Sequence, residues 1–456
     1  MRWLLKKEVR ELAASRAFLV FALLVGPLVW HAFRISVFTY VEMSGAAGGP
    51  AALSQGLSPL DGIVVPTFGA YVLALSLLFP FAAIRLVSAE KESGALSLLI
   101  QSRHTLTAQV LVKFAVLMAA WVLSWIPGLV ALWLWRSGGG HLWAPEVLSV
   151  LAGHLLRGAL VISIAMLAAA VMENAAAAAV LALAFTLASW ALEFVAQVQG
   201  GLAQQAADLA PEGMLRALER GEVRLDVIGI MLVTVASNLA VAIVWLHQGR
   251  ERGFRWAMTL AILVATTVLS PLASASRRSW DVSEDRRNSF SPADERALKS
   301  ISEPLRVEVN LAPEDPRLAD LEREVLRKLR RTLPNVSVVN TAQSATGLFE
   351  PFAGVSRDGT PESNAGYGEV WYQVGAKRAM SRSTTEPIVL DVIYELGGVT
   401  PPARAGQPAY PGYPLATAPD TAPYFFFLIL PGIVAAFWWW TRRPRAPATV
   451  SRLEPT

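Results

Sequence analysis

The sequence predicts a mainly α protein: a polytopic membrane helix bundle of about eight spans, six plus two, with a small extracytoplasmic α/β domain. Three observations predict it. Hydrophobic residues make up 54% of the 456-residue chain and charged residues 17%, against about 45–50% and about 25% in soluble globular domains. The apolar residues gather in long blocks between residues 17 and 273 and again near the C-terminus. A charged, Pro-rich stretch separates the two, as a soluble part attached to a membrane part would.

A helix needs about 20 apolar residues to cross a hydrocarbon core about 30 Å thick. The blocks that satisfy this are 17–39, 63–84, 114–135, 147–171, 176–197, 226–246, 256–273 and 424–440. In lipid each backbone must satisfy its own hydrogen bonds, so the blocks are read as helices. Spans four and five are divided only by Met172-Glu173-Asn174.

Orientation follows from the connecting segments, because Lys and Arg accumulate on the cytoplasmic side. Arg2, Lys6, Lys7, Arg10 and Arg16 precede span one, and Arg85, Lys91, Arg103 and Lys113 follow span two. Arg250, Arg252 and Arg255 follow span six, and Arg442, Arg443 and Arg445 follow span eight. With eight spans these four segments fall on one side, whereas Val41 to Gly62 has neither Lys nor Arg. Both termini are therefore expected in the cytoplasm of a cell bounded by this inner (cytoplasmic) membrane, with residues 274–423 outside. The net charge of +4 is read as membrane topology, with no nucleic-acid partner. The N-terminus does not read as a removable signal peptide, since no small-residue cleavage site follows its apolar run.

Residues 1–16 place Leu5, Val9, Leu12 and Ala13 on one helical face and Lys6, Lys7, Arg10 and Glu11 on the other. That pattern fits an amphipathic helix lying in the inner interface, or a cytoplasmic extension of span one. After span two, residues 85–113 form a cytoplasmic loop containing Glu90, Glu92, Gly94, Leu96, Leu99, Arg103 and Lys113. Gly94 permits a tight turn, and the apolar run after it is too short to cross lipid.

This E-x-E-x-G-x-L-x-x-L segment, followed by a polar turn and a second helix ending in Lys113, resembles the permeases of the type-two ABC exporter class. The resemblance extends over residues 1–247, a six-span permease domain (17–247) behind an interfacial helix. It implies that loop 85–113 couples to a separate cytoplasmic ABC ATPase dimer, that ATP and Mg are bound there and not on this chain, and that a second permease copy, identical or related, completes the transporter. No G-x-x-x-x-G-K-[ST] phosphate loop occurs in the chain, and Ser137-Gly138-Gly139-Gly140 reads as a plain turn.

The seventh span (256–273) opens onto the outer domain (274–396). Here the pattern predicts a helix over 293–301, a strand over 305–311, a charged helix over 318–333 and a strand over 336–339. A later strand over 369–374 and a helix over 388–396 follow. Asp281, Ser283, Glu284, Asp285, Arg286, Arg287, Ser289 and Ser291 form a run that resembles the start of the extracytoplasmic part of gliding-motility-type ABC auxiliary proteins. Either a ligand-binding module or a structural cap fits a domain of this length. Residues 397–423 read as a Pro/Gly-rich tether, 424–441 as the eighth span and 442–456 as a cytoplasmic tail.

Arg157 and Glu193 fall inside spans four and five, where a charge costs about 2.5–3.5 kcal/mol on insertion scales. Two readings are open: the residues pair across adjacent helices, or Arg157 snorkels to the outer headgroups. His31, Arg34 and Asn238 either line a pathway or face neighbouring helices. No metal spacing and no nucleophile–base constellation is present, so no catalysis, metal or cofactor is expected on this chain. Three functions compete: permease subunit of an ATP-driven exporter, ion-coupled secondary transporter, and membrane-anchored scaffold presenting the outer domain. The inverted repeats and midplane acidic residues that a secondary transporter calls for are not evident.

Overall fold

The computed structural model describes residues 2–43, 57–101, 104–199, 207, 210–247, 249–274, 278–312, 315–333, 335–342, 367–403 and 419–442. Arg103, most of the 397–423 tether and residues 443–456 lie outside them. The chain opens with α1 (Arg2–Ala14), α2 (Arg16–Met43) and α3 (Leu60–Glu92). Next come a short α4 (Ala95–Ile100), then α5 (Leu106–Ser137), α6 (Ala144–Val171) and α7 (Ala175–Ala196). A short α8 (Pro211–Glu219) and strand β1 (Glu222–Arg224) lead into α9 (Leu225–Leu246) and α10 (Arg252–Ala273).

The α/β unit comprises β2 (Ser279–Asp281), α11 (Pro292–Lys299), β3 (Leu305–Val309), α12 (residues 316–332), β4 (Val336–Asn340), β5 (Val370–Val374), β6 (Lys377–Ser381) and α13 (Glu386–Gly397). A last helix, α14 (Ala422–Arg442), follows. Among the described residues eight helices are long and apolar enough to cross a membrane: α2, α3, α5, α6, α7, α9, α10 and α14. They coincide with the eight predicted blocks, and the Met172–Asn174 break does separate α6 from α7. One boundary is corrected. Helix α3 runs on to Glu92 and α5 begins at Leu106, so the connection shrinks from 85–113 to residues 93–105; Lys113 lies in a helix, as expected.

Trp121 lies at the centre of the bundle core. It is fully buried against Phe21, Phe79, Tyr71 and Trp125. Its indole N–H donates to the carbonyl of His154 at 3.0 Å, so the ring's polar edge is satisfied. Gly158 makes this approach possible, since a Cβ there would stand 2.4 Å from the indole nitrogen. Helix α5 breaks near Ser124 and resumes before Pro127, where proline removes a backbone donor. Tyr71 bridges the break: its phenol donates to the Ser124 carbonyl at 2.9 Å and accepts from the Gly128 N–H at 3.0 Å.

The α/β unit has its own core. Its sheet runs β4-β3-β5-β6, with β3 and β4 parallel and the other pairs antiparallel. Leu305, Val307 and Val309 of β3 alternate with Arg306 and Glu308, and Val370, Tyr372 and Val374 of β5 with Trp371 and Gln373. The buried set meets Leu321, Val325 and Leu329 of α12 and Val389, Leu390 and Ile393 of α13. Helix α12 is the crossover that parallel β3 and β4 require. Tyr394 ties α13 to α11 by donating to Asp294 at 2.7 Å. Helices and strands match the predicted pattern; β6, which returns from β5 through Gly375 at φ +56°, is an addition. So is a two-stranded ribbon in which β1 pairs antiparallel with β2.

Candidate functional site

At the end of the bundle where α1 lies, five charged residues from three helices converge. Lys113 of α5 reaches Glu8 of α1 at 2.6 Å and Glu90 of α3 at 2.8 Å. Lys7 contacts Glu90 as well, and Glu8 at 3.0 Å and Glu11 at 3.3 Å. Lys113 also donates to the Leu86 carbonyl at 3.3 Å. Glu8, Glu90 and Lys113 are buried, and a buried charge is tolerated only when paired and hydrogen-bonded. Burial pushes the Glu8 carboxyl above its usual range, against the lowering pull of Lys113 and Lys7. Burial works to lower Lys7, but its bonds to Glu90 and Glu8 prevail and hold the ammonium above the ordinary lysine value.

This joint rotates α1 from its predicted orientation: Leu12 and Ala13 are buried as expected, but Leu4 and Glu8 take the inward places predicted for Leu5 and Val9. Leu4, Glu8 and Leu12, one turn apart, face the bundle, while Leu5 and Val9 are 47% and 48% exposed. The ion pair to Lys113 draws a carboxylate onto the inward face, which hydrophobic periodicity alone assigns outward. Carboxylate oxygens of Glu8, Glu11 and Glu90 lie within 4.8 Å of one another, but the two ammonium groups already sit among them, so the cluster is an ionic joint rather than a cation cage.

The next two residues of α3 act on a different pair of helices. Lys91 donates to the carbonyls of Ala170, at 2.9 Å, and Met172, which end α6. Glu92 accepts from the backbone N–H of Ala175, at 2.9 Å, where α7 begins. Helix ends leave such groups unpaired and carry partial charge, negative at the C-terminus and positive at the N-terminus. Adjacent opposite charges therefore clip both ends of the α6–α7 corner.

Beyond the clip, Gly94 adopts φ +73° and starts α4. A Cβ at Gly94 would meet nothing within 4 Å, so the requirement for glycine there is conformational. Leu96 is buried, Leu99 half-buried, and Leu98 is 71% exposed. Gln109 closes the turn by donating to the carbonyls of Leu99 and His104 at 2.9 and 3.1 Å, and Thr105 caps α5 through the Ala108 N–H at 3.2 Å. Of the predicted coupling residues, Glu90, Glu92, Gly94, Leu96, Leu99 and Lys113 thus belong to one continuous assembly.

The predicted Arg157–Glu193 pair does not form. Arg157, 1% exposed, donates to Glu212 at 2.6 Å and to Ser76 at 3.0 Å, so it does not reach outward to headgroups either. Glu193 pairs with Arg216. Helix α8 supplies both partners, and its Glu219 stands 3.5 Å from His154. The spacing of Glu212, Arg216 and Glu219 follows one helical face, which Pro211 at the helix start and the apolar Met214, Leu215 and Leu218 signal in the sequence. Asn238 faces a neighbouring helix, donating to Ser163 at 3.1 Å, while His31 and Arg34 are exposed on the bundle exterior.

The acidic–basic run before the α/β unit is a clamp. Asp281 organises it, accepting from Ser283, from the Asn288 N–H at 3.0 Å and from the Ser289 hydroxyl at 2.6 Å. Arg286, at φ +54°, turns the chain so that its neighbours reach the bundle. Glu284 contacts His141 at 2.7 Å, its N–H donates to Glu146 at 2.9 Å, and Trp143 donates to the Val282 carbonyl at 3.2 Å. Arg287 bonds Asp285 at 2.7 Å, Ser58 at 2.6 Å and Asp61. Burial tends to lower this guanidinium, but its carboxylate partners outweigh burial and keep it charged. Ser291 caps α11 through the Asp294 N–H at 3.1 Å. No family model matches the chain, and no curated protein or solved structure matches it either.

Proposed function

We propose that this chain is the membrane-spanning permease subunit of an ATP-driven exporter, with α4 docking on a separate cytoplasmic ABC ATPase. One observation carries this reading. A short helix with an outward leucine follows directly on the end of α3, which is held by buried ion pairs to α1 and α5 and by backbone clips to the α6–α7 corner. A push on α4 is thereby delivered to five helices at once, as force transmission from a nucleotide-driven partner requires. The spans then lie in the inner membrane with both termini cytoplasmic, and a second copy completes the pathway.

Affinity purification from native membranes tests it. The wild-type chain should bring down an ATPase, detected by ATP hydrolysis and by its phosphate-loop peptide. Leu98→Asp should lower that captured activity at least tenfold, since burying an unpaired carboxylate at an apolar contact costs several kcal/mol, while its own thermal stability stays the same. Undiminished ATPase capture by Leu98→Asp would sink the docking assignment. A scaffold role for the bundle is favoured by the clamp, which holds the α/β unit firmly to it. Under that reading no ATPase accompanies the wild-type chain.

A further inference from the structure

The β1–β2 ribbon fixes a level along the bundle axis. Leu225, the first residue of α9, donates its N–H to the Arg278 carbonyl at 3.1 Å. Arg278 therefore stands beside the end of a helix long enough to cross a membrane. Arg278 and Trp280 alternate along the strand and so share a face. With Ser279 and Arg331 they line an open cleft whose wall, among the described residues, contains no carboxylate. Arg331 is fixed by the carbonyls of Asn288 and Ser279, at 3.2 and 3.3 Å, and among the described residues no carboxylate lies within ion-pair distance of it. Arg327 lies one turn earlier on α12 and is exposed. Among the described residues, neither Arg278 nor Arg327 has a carboxylate within ion-pair distance.

The positive field extends behind the cleft. Burial, together with the charges of Arg327, Arg323 and Arg216, pushes the half-buried Arg220 below its ordinary range, with Asp61 the opposing charge. Asn288 joins the two sides, donating to the Arg220 carbonyl at 2.7 Å and accepting from Arg331. Trp280 is 48% exposed, and such rings favour the headgroup level. Guanidinium forks match phosphate oxygens two at a time.

We infer that this cleft binds the phosphate of an acidic phospholipid headgroup, through Arg278 and Arg331 with Arg327 beside them and Trp280 against the glycerol. The inference rests on the membrane insertion proposed above. An acidic lipid is favoured over a zwitterionic one because, among the described residues, the cleft offers two guanidinium groups, a hydroxyl and an indole and no anion for a headgroup cation.

Native mass spectrometry of the full chain, released from nanodiscs holding equal phosphatidylglycerol and phosphatidylcholine, tests the site. Wild type should retain phosphatidylglycerol preferentially. Arg278→Gln with Arg327→Gln should lower that retention by about 25-fold, about fivefold for each charge near the surface. Lys299→Gln with Lys377→Gln, the same charge change elsewhere on the α/β unit, should leave it unchanged. Equal retention of both lipids, or equal loss in the two double variants, overturns the inference. Displacement of the lipid by equimolar glycerol phosphate overturns it too, and makes a soluble phosphate the occupant. Release of the chain from vesicles by alkaline carbonate would instead refute membrane insertion itself, so the two failures are distinguishable.

Discussion

Lys113 joins segments more than a hundred residues apart: it bonds Glu8 and Glu90 from a fully enclosed position. Removing one member of such a buried cluster leaves the others uncompensated and costs about 3–5 kcal/mol. Lys113→Met should therefore lower the melting temperature in detergent sharply, and adding Glu8→Gln should recover part of the loss. The pH response has a definite sign. The folded carboxyl of Glu8 titrates above its unfolded value of 4.5, so the folded chain holds its proton longer than the unfolded one. Its contribution is fully present below the unfolded value and declines as pH rises through the folded one. Lys113→Met, which removes a lowering influence, should move that decline to higher pH, measured as melting temperature against pH. Lys113 and Glu90 were legible because they belong to a spaced motif. Glu8 was not, because a carboxylate that will be buried against a lysine reads the same as one that will face water. Arg157 failed for the same reason, its partner lying in a stretch read as outer connection.

At the scale of elements, the α6–α7 corner takes its capping from outside its own sequence. Lys91 and Glu92 satisfy orphan groups at opposite helix ends, each contributing about 0.3–1 kcal/mol through the end charges alone. Lys91→Gln combined with Glu92→Gln should therefore speed amide hydrogen exchange over residues 170–177 several-fold. Exchange in the Tyr71-bridged break of α5 should not change. Equal acceleration at both places would mean general loosening rather than a lost clip. The eight long helices were legible because length and apolarity suffice to define them. The β1–β2 ribbon was not, since three-residue strands carry too few residues for a period. The α5 break was half legible: Pro127 marks it, but the phenol that holds it comes from α3.

For the whole molecule, topology can be read chemically, because the chain has no cysteine. Ser97, on α4, and Ser300, after α11, are both exposed and belong to opposite sides of the proposed membrane. Single Ser97→Cys and Ser300→Cys variants should label differently in intact cells with an impermeant maleimide. Ser300→Cys should react at once, and Ser97→Cys only after permeabilisation. The opposite pattern would reverse the orientation deduced from Lys and Arg, and labelling of both from outside would refute their placement on opposite sides. The division into bundle and α/β unit was read from composition, and the buried apolar residues form two separate clusters. How the two are joined was not, because Asp61, His141 and Glu146 meet the 281–288 run only after the chain has folded back on itself.

That clamp also has an order in time. Every residue that receives it, from Ser58 and Asp61 through His141, Trp143 and Glu146 to Arg220, precedes Asp281 in the chain. Synthesis from the N-terminus delivers domains in sequence, so the socket is complete before the run that fills it emerges. The last helix, α14, arrives later still and packs Phe426 against Trp30 of α2 at 5.1 Å between ring centres. Helices α2 and α14 thus meet only after the clamp has emerged, which makes that aromatic contact a seal on a socket already filled.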